Sequence, residues 1–478
     1  MRRVSSVAKR RAIWVLLLAL VLGLGGFALY RNKVLPTTAK RPPKIRLSDS
    51  GAPEIPLRPR HVVLFVIDTL RADAQNLSQT PSIDDFSRVS RSPKVAWASG
   101  TWTGPSIISM FTGATVREHG WDFPFPRFMD AERESYPPVP DRPVLAEVLK
   151  QAGFETNGFV NNPLLRPGLG FERGFDGWER TRDGKIPLKL RKLVESWPEV
   201  GSQSGKPQFV YLHMIGPHHP LKPTPSASRR WRLDRTLFQQ RRGFRIETAQ
   251  QGDAYTKDQY RRAYLAVVED KDRLVGRVMS ALGPHLNETM VILTSDHGEL
   301  LGEHDEVGHE QFVFEPLTRI PMFVRGGSIE LPQVMTNALI PDLITRTVGV
   351  EYQWPESLDS PGPLVSQRQG KLALSTDGHL KGIWDDEKIP AGFLPFDINL
   401  DPSEKSPIHD RPFPFRQSRL MMERIGWEAR VPHTKIPPAA AGMGAELMDS
   451  LRALGYMTDG EAGAGTGGGQ QDTGETTP

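Results

Sequence analysis

Residues 62–68 read VVLFVID, an uninterrupted apolar run that ends abruptly at a carboxylate. Short runs rich in β-branched residues are typical of strands that are buried on both faces of a parallel sheet. The pattern recurs in residues 209–215, FVYLHMI, and again in residues 290–295, MVILTS, which lead directly into an aspartate. The three runs predict an α/β fold with a central, mostly parallel sheet.

Polar residues end the first and third of these runs. Asp68 ends the first run, and Asp296 and His297 follow the third. An acid after a strand is commonly only a turn residue, but the carboxyl ends of parallel strands meet at one edge, where α/β proteins place their ligands. Two carboxylates and an imidazole suit one divalent metal ion, whether Ca²⁺, Mg²⁺, Mn²⁺ or Zn²⁺. The spacing alone leaves both interpretations open.

A loop of small polar residues, ASGTWTGPS at 98–106, leads into the apolar residues of a predicted helix. Pro105 suits the first helical position, because its fixed φ fits and its missing N–H would be unpaired there. Thr103 is then expected just before a helix N-terminus, where free N–H groups favour negative charge. Taken alone, it is an ordinary N-cap threonine, whereas a metal ion beside it would make its hydroxyl a nucleophile. Residues 117–120 are expected to close this helix.

Composition limits both the chemistry and the partners. The chain has 478 residues and no cysteine, which excludes disulfides and thiolate chemistry. Residues 1–46 hold eleven of the 60 basic residues and no acid, so that 49 bases face 56 acids in the rest of the chain. The basic pI is therefore a property of the N-terminal region. We expect its partner to be a lipid surface and expect no nucleic acid.

The N-terminal region predicts a membrane anchor. Residues 1–11 form a basic segment, and residues 12–30 form a run of nineteen without a charge, which is long enough to span a bilayer. A cleaved signal peptide has a shorter apolar core and a small-residue cleavage site, so an uncleaved anchor is favoured. We expect a single-pass protein with a cytoplasmic N-terminus, an extended linker at 31–58 and a catalytic domain on the extracytoplasmic side, periplasmic or extracellular.

The remainder divides into a catalytic domain and a smaller unit. Residues 59–349 contain the three apolar runs, and residues 350–458 predict an α+β subdomain of short strands separated by turns. Residues 221–255 are expected to form an irregular basic loop, and residues 459–478 a disordered tail. The expected helices lie at 143–152, 255–282, 336–348 and 447–454, and the expected C-terminal strands at 371–375, 380–384 and 394–399.

Ordered motifs along the chain resemble those of a known family, the sulfatase-like branch of the alkaline phosphatase superfamily. The resemblance covers most of residues 60–405, and its most specific part is TSDHGE at 294–299 followed by GEH at 302–304. The other matching segments are VLFVIDTLRAD at 63–73, TPSID at 80–84, TGPS at 103–106 with FTG at 111–113, GF at 170–171 with GFD at 174–176, PHHP at 217–220 and FDINLDPSE at 396–404. Thr103 stands at the family's nucleophile position.

The resemblance implies a fold, a cofactor and a set of roles. The fold would be an alkaline-phosphatase-like α/β sandwich with a central, mostly parallel sheet and a smaller C-terminal α+β subdomain. One divalent metal ion would be held by Asp68, Asp296, His297 and the Thr103 oxygen. Thr103 would form a covalent intermediate that water or an acceptor alcohol resolves. His218 and His309 would bind the substrate anion or protonate the leaving group.

Departures from the family pattern change the expected chemistry. Sulfatases carry Cys or Ser at the nucleophile position and convert it to formylglycine, an aldehyde that threonine cannot give. Ile107 replaces the arginine that normally follows the Pro-Ser pair, and Thr69 replaces a second aspartate. A second metal ion would need an aspartate near His213, where Gly216 occupies the place. The resemblance therefore implies ester cleavage at threonine with one metal ion and without formylglycine.

These inferences predict a membrane-anchored, metal-dependent hydrolase or transferase that cleaves phosphate or sulfate esters by in-line displacement at Thr103. The substrate would be an anionic ester, such as a lipid head group or a glycan. One alternative is a hydrolase of sulfated or phosphorylated glycans that uses the same site. Another is a catalytically silent, membrane-tethered binding protein that keeps the fold, as the altered residues Thr69 and Ile107 suggest.

Overall fold

The structure is a computed structural model that describes residues 58–122, 140–202, 204–239, 243–309, 311–386, 392–409 and 415–434. The strands in this part of the chain are β1 (His61–Ile67), β2 (Val95–Trp97), β3 (Glu155–Val160), β4 (Gly177–Arg180), β5 (Gln208–Met214), β6 (Thr289–Thr294), β7 (Leu300–Leu301), β8 (Val307–Gly308), β9 (Met322–Arg325), β10 (Val334–Thr336), β11 (Leu364–Arg368), β12 (Lys371–Ser375), β13 (Leu380–Asp385) and β14 (Gly392–Asp397). The α-helices are α1 (Ala74–Leu77), α2 (Pro81–Arg88), α3 (Thr103–Thr112), α4 (Val116–His119), α5 (Leu145–Gln151), α6 (Ile186–Val194), α7 (Pro225–Arg230), α8 (Ile246–Gln250), α9 (Ala254–Leu282), α10 (Glu315–Thr318), α11 (Ile340–Val348) and α12 (Phe415–Arg430).

A six-stranded sheet forms the centre of the molecule, with the strand order β4-β3-β5-β1-β6-β9. All neighbours pair in parallel except β6 and β9, which are antiparallel. In the registers of the three predicted strands, Phe65 on β1 lies between Leu212 on β5 and Leu293 on β6. The predicted strands are confirmed, and their carboxyl ends lie at one edge of the sheet.

Helices cover both faces of this sheet. The even-numbered residues of 62–66 pack into an apolar core with α3, α5 and α11. The odd-numbered residues of 63–67 pack into a second core with α2, α6 and α9. Every residue of β1 is buried, because successive side chains point to opposite faces and each face meets a helix layer. The α/β class expected from the three apolar runs is confirmed.

The helix that carries Thr103 begins two residues earlier than expected and also ends earlier than expected. It starts at Thr103 rather than Pro105, because Trp102 has an extended backbone and serves as the N-cap. It ends at Thr112, since Gly113 adopts a left-handed conformation with φ of 65°. Residues 116–119 form a separate one-turn helix that Gly120 caps. Residues 117–120 therefore do not close the Thr103 helix, as the sequence had suggested.

Two long predicted helices have different outcomes. The helix expected at 255–282 is present as α9, which Asp253 caps by accepting from Thr256 N. The helix expected at 336–348 is present as α11 from Ile340, after a 3-10 turn at Asn337–Leu339, and Thr336 pairs with β2 as the last residue of β10. Within 221–255, expected to be irregular, α7 and α8 are short regular elements.

A second, antiparallel sheet with the order β11-β12-β13-β14 follows beyond residue 350. It confirms the three predicted C-terminal strands and adds β11 at their edge. Helix α12 packs on this sheet through Leu420 and Trp427. The smaller sheet contacts the loop before α3, because Gln367 N near the end of β11 donates to Ser99 O.

A buried charged group connects the antiparallel sheet to α10 and to β2. The ammonium group of Lys381 on β13 lies 2.7 Å from Glu404 Oε1 and 3.3 Å from Glu315 Oε1, and it also faces the ring of Trp97. Glu404 in addition accepts from Glu315 N at 2.6 Å. The C-terminal FDINLDPSE motif thus supplies Glu404, which pairs with Lys381 on β13 and accepts from the backbone of α10.

Five expectations fall outside the described residues, one of them except for its last residue. They are the basic segment at 1–11, the membrane anchor at 12–30, the linker at 31–58 up to residue 57, the helix at 447–454 and the tail at 459–478. Among the residues that the structure does describe, none of the helices combines the length and the apolar character that a bilayer crossing requires.

Candidate active site

Asp68 is the first residue after β1 and lies at the carboxyl edge of the central sheet. Its side chain is completely buried, and its Oδ2 accepts from Asn162 Nδ2 at 2.7 Å. His213 Nε2, on the neighbouring strand β5, lies 3.2 Å from the same oxygen. Asp68 Oδ1 has no hydrogen-bond partner among the described residues. One carboxylate oxygen is therefore fixed by the protein, and the other is left for a ligand.

Thr103 is brought to the same edge by α3. Its Oγ1 lies 3.5 Å from Asp68 Oδ2 and accepts from Asn162 Nδ2 at 3.2 Å. The amide of Asn162 is oriented by its own oxygen, which accepts from Leu164 N. As the first residue of a ten-residue buried helix, Thr103 lies where free backbone N–H groups favour an anion.

Asp296 and His297 complete the cluster from the end of β6. Asp296 Oδ1 accepts from Thr69 N at 3.2 Å and from His297 N at 2.9 Å. Ser106 connects α3 to the end of β6, because its Oγ donates to Asp296 O. The same Oγ accepts from Asn337 Nδ2. The serine of the TGPS motif therefore sets the distance between Thr103 and β6.

The donor atoms of this cluster fit a metal ion. Asp68 Oδ1, Asp296 Oδ2 and His297 Nε2 are all buried and have no hydrogen-bond partner among the described residues. His297 Nε2 lies 3.6 Å from Asp68 Oδ1 and 3.7 Å from Asp296 Oδ2. His297 Nδ1 faces Gly298 O at 2.9 Å, which places the ring proton there and leaves the Nε2 lone pair toward the carboxylates.

The electrostatics of the cluster agree with a cation site. Burial raises the pKa of Asp296, and the charge of Asp68 raises it further. Burial alone would lower the pKa of His297, but Asp296 and Asp68 outweigh it and raise this pKa. For Asp68, burial is outweighed by the hydrogen bond from His213 and by the charges of nearby imidazoles, so its pKa lies below the ordinary value. Two buried carboxylates side by side favour a bound cation.

The two predicted substrate histidines lie beside this cluster. The ring of His309 is 4.6 Å from that of His297 and 5.0 Å from that of His218. His218 Nδ1 faces His219 O at 2.5 Å. Burial, followed by the charges of His297 and His218, lowers the pKa of His309 well below its ordinary value. The structure thus brings together all of Thr103, Asp68, Asp296, His297, His218 and His309.

Sequence reasoning overlooked Asn162 as a site residue and gave no role to His213 or Glu299. Asn162 lies two residues after β3, and His213 lies near the end of β5, so both share the edge with Asp68. The available signal was the rule that polar residues at strand ends in a parallel sheet converge. The expected site draws on the ends of β1 and β6, whereas β3 and β5 also contribute, through Asn162 and His213.

A second cluster of histidine and carboxylate lies at the opposite ends of β1 and β6, formed by His61, His285 and Glu288. Its hydrogen bonds differ, because His61 Nδ1 accepts from Gln208 N at 3.1 Å and therefore carries no proton. In neutral His61 the proton is then on Nε2, the nitrogen that faces Glu288 Oε1 at 3.4 Å. This cluster does not fit a metal ion without loss of the bond from Gln208.

The fold and the site together define an α/β protein with a carboxylate–imidazole site beside a helix-borne hydroxyl. The family model described as Sulfatase matches residues 60–346, which is more than half of the chain. The chain therefore belongs to the sulfatase family.

Similar proteins in this family include the uncharacterized sulfatase YidJ of Escherichia coli K12. It is 36% identical over 97 residues, which are 20% of this chain and 20% of that protein. The aligned stretch thus spans about a fifth of that relative's length, so the activity of the whole protein is not carried over by this similarity.

Solved structures share the fold over most of the chain. A structure of BT4656 in complex with its substrate D-glucosamine-2-N,6-O-disulfate has a TM-score of 0.62 at 17% identity, covering 78% of this chain and 98% of that one. The phosphonate monoester hydrolase of Silicibacter pomeroyi has a TM-score of 0.57 at 16% identity, covering 78% and 96%. At these identities the likeness establishes the alkaline-phosphatase-like sulfatase fold.

Proposed function

We propose that this protein is a metal-dependent hydrolase or transferase that cleaves phosphate or sulfate esters at Thr103 without formylglycine. The observation that carries the proposal is the convergence of three buried, unpartnered donor atoms, on Asp68, Asp296 and His297, in a site that also contains the Thr103 hydroxyl. A bound divalent ion would make the threonine oxygen a stronger nucleophile and would stabilise negative charge on the ester oxygens.

The residues of the chain define the steps. Asn162 and Asp68 hold the Thr103 hydroxyl through contacts of 3.2 and 3.5 Å. With an ion bound, the Thr103 hydroxyl would release its proton to solvent. Thr103 Oγ1 forms a bond to phosphorus or sulfur as the bond to the leaving oxygen breaks, and the leaving oxygen takes a proton from a histidine of the site or from water. Water or an acceptor alcohol then takes the group from Thr103. We assign contact with the substrate anion or the leaving oxygen to His218 and His309. Their rings lie 5.0 Å apart, and that of His309 lies 4.6 Å from the ring of His297.

Two substrate classes are supported by similar proteins. The relatives with the shared fold include one bound to a sulfated sugar and one named as a phosphonate monoester hydrolase. Ile107, on α3, is completely buried in the apolar core, so no arginine reaches the anion from that position. A threonine nucleophile favours phosphorus esters over the sulfate esters of formylglycine enzymes.

We also propose that residues 12–30 anchor the protein in a membrane, with its catalytic domain outside the cytoplasm.

The test compares Thr103→Ala with a matched control in the same helix. Thr112→Ala removes a buried threonine whose hydroxyl donates only to Ile108 O among the described contacts. Purified variants are assayed on aryl sulfate, phosphomonoester, phosphodiester, phosphonate and phospholipid substrates. We expect Thr103→Ala to lower kcat by about 10³-fold or more on the preferred substrate, and Thr112→Ala to retain activity.

A covalent product gives an independent readout. Rapid acid quench during turnover, followed by peptide mass spectrometry, should find one phosphoryl or sulfuryl group on the peptide that contains Thr103. Full metal-dependent activity of Thr103→Ala would contradict the proposal. A wild-type protein that binds the ion but turns over none of the substrates would favour the silent binding protein instead.

A further inference from the structure

Glu299 is a buried carboxylate of the site that belongs neither to the metal cluster nor to the nucleophile. Its side chain is completely buried, and its Oε2 lies 2.6 Å from His309 Nδ1. Its Oε1 accepts from the hydroxyl of Tyr260, on α9, at 3.1 Å. Both oxygens of Glu299 are therefore used, one on a histidine at the substrate side and one on a tyrosine from the helix layer.

The backbone around this contact is fixed from several directions. Leu300 on β7 pairs with Gly308 on β8, so the residues just outside this short ladder, Glu299 and His309, lie next to each other. Arg71 Nη1 donates to Glu299 O at 3.1 Å, which holds the backbone of Glu299 against the loop after β1. The contact between the two side chains is thus built into the fold rather than made by two mobile loops.

We propose that Glu299 is a positioning residue for His309. Its hydrogen bond to Nδ1 fixes the plane of the imidazole ring and thereby the edge that meets the substrate, while Tyr260 fixes the carboxylate. The inference rests on the proposed function, because it requires His309 to contact the leaving oxygen. A carboxylate that only filled a polar gap would have no effect that depends on the leaving group.

The test uses two esters that differ in leaving group, an alkyl ester and a nitrophenyl ester. Both are esters of phosphoric or of sulfuric acid, whichever acid gives the esters that the wild type cleaves faster. Proton donation to the leaving oxygen accelerates the reaction most when the leaving group is a poor one, an alkoxide, and least when it is nitrophenolate. We expect His309→Ala to lower kcat by about 10²-fold on the alkyl ester and much less on the nitrophenyl ester. Glu299→Ala should show the same selective loss in kcat, with a smaller change in KM.

Conservative variants separate positioning from folding. Glu299→Gln should recover most of the alkyl-ester activity, because its amide oxygen can still accept from His309 Nδ1. Tyr260→Phe should show a mild selective loss, and Tyr255→Phe, an exposed tyrosine on the same helix, should show none. Metal content and Tm are measured for every variant, and Glu299→Gln should match the wild type in both.

A double-mutant cycle decides the question. If Glu299 acts through His309, the variant that lacks both side chains is no slower than His309→Ala. Equal losses on the two esters, or a double variant about tenfold slower than His309→Ala, would overturn the positioning role. If His309→Ala has no effect while Thr103→Ala is inactive, this inference fails and the proposed function stands. If Thr103→Ala is fully active, the proposed function fails.

Discussion

Two clusters of histidine and carboxylate lie at the opposite ends of the same two strands, β1 and β6. At the carboxyl end, His297 directs its Nδ1 proton at Gly298 O, so its Nε2 faces two carboxylate oxygens as an acceptor. At the amino end, His61 accepts a backbone N–H at Nδ1, so the proton lies on the nitrogen that faces Glu288. The residue types are almost the same, and the hydrogen bond on the far side of the ring decides which cluster can hold a metal ion.

The two ends also differ in how their carboxylates are used. Glu288 has both oxygens occupied, one beside His285 Nδ1 at 2.8 Å and the other accepting from Gly201 N at 3.0 Å. Asp68 and Asp296 each retain one buried oxygen without a partner. His61 Nε2 at the amino end also lacks a hydrogen-bond partner among the described residues, so the ends differ in their carboxylates. A buried carboxylate oxygen without a partner is unfavourable unless a ligand binds it, and the predictions below probe this difference.

The largest expected effect is the loss of the metal ion when a donor at the carboxyl end is removed. His297→Ala should lower the bound metal measured by inductively coupled plasma mass spectrometry from about one ion per chain to near zero, and activity should be lost with it. The matched variant at the other end, His285→Ala, should retain both. Loss of metal from His285→Ala, with none from His297→Ala, would reverse the comparison.

A smaller but still large loss in kcat is expected when Asn162, which holds the nucleophile Thr103, is changed. Asn162→Ala removes the donor at 3.2 Å from Thr103 Oγ1 and should lower kcat by about 10- to 100-fold. Its neighbour provides the control, because the side chain of Asn161 donates to Asp183 Oδ1 rather than to Thr103. Asn161→Ala should therefore keep kcat within about twofold. Equal losses in the two variants would assign the effect to the loop as a whole.

Removal of the metal ion should affect stability through the carboxyl end only. The apo protein retains two buried carboxylates that repel each other, whereas a ligand present at 100 times its Kd adds about 2.7 kcal/mol to the folded state. We expect chelation to lower Tm by about 5 °C and the added ion to restore it. His285→Ala should show the same shift on chelation, and an unchanged Tm in chelated wild-type protein would speak against a built site.

At the amino end we expect the free energy of unfolding to depend on pH through the protonation of His61. Burial lowers the pKa of His61 to about 4 from its ordinary 6.5, so the folded protein keeps this histidine neutral while the unfolded chain protonates it. Stability that is present above pH 6.5 is therefore lost as the pH falls toward 4, by about 2 kcal/mol between pH 7 and 4.5. Urea unfolding of the wild type and of His61→Gln measures this, and the variant should lose less. Identical pH slopes would show that His61 does not contribute.

Much of the fold followed from local patterns. The apolar runs before Asp68 and Asp296 predicted strands that are buried on both faces, and the spacing of apolar residues at 255–282 predicted α9. The start of α3 was misplaced, because the extended backbone of Trp102 depends on tertiary contacts that the Pro105 rule does not include. The helix expected at 336–348 is present as α11 after a 3-10 turn at Asn337–Leu339, and only Thr336 belongs instead to β10, which pairs with β2 over a long range.

The site could be predicted in part for the same reason. Asp68, Asp296 and His297 stand out because they follow apolar runs. Asn162 follows a weaker strand and has no distinctive sequence pattern, so its contact with Thr103 emerges only when β3 and α3 are placed side by side. The orientation of each imidazole depends on one backbone group, such as Gly298 O or Gln208 N, and no residue pattern encodes it.

The most direct measurement of the central claim is an anomalous difference map from crystals grown with Mn²⁺. The comparison predicts one peak between Asp68 Oδ1, Asp296 Oδ2 and His297 Nε2, at a distance that allows Thr103 Oγ1 to approach it, and none beside His61 and His285. A peak only at the amino end, or none at the carboxyl end at saturating Mn²⁺, would contradict the account.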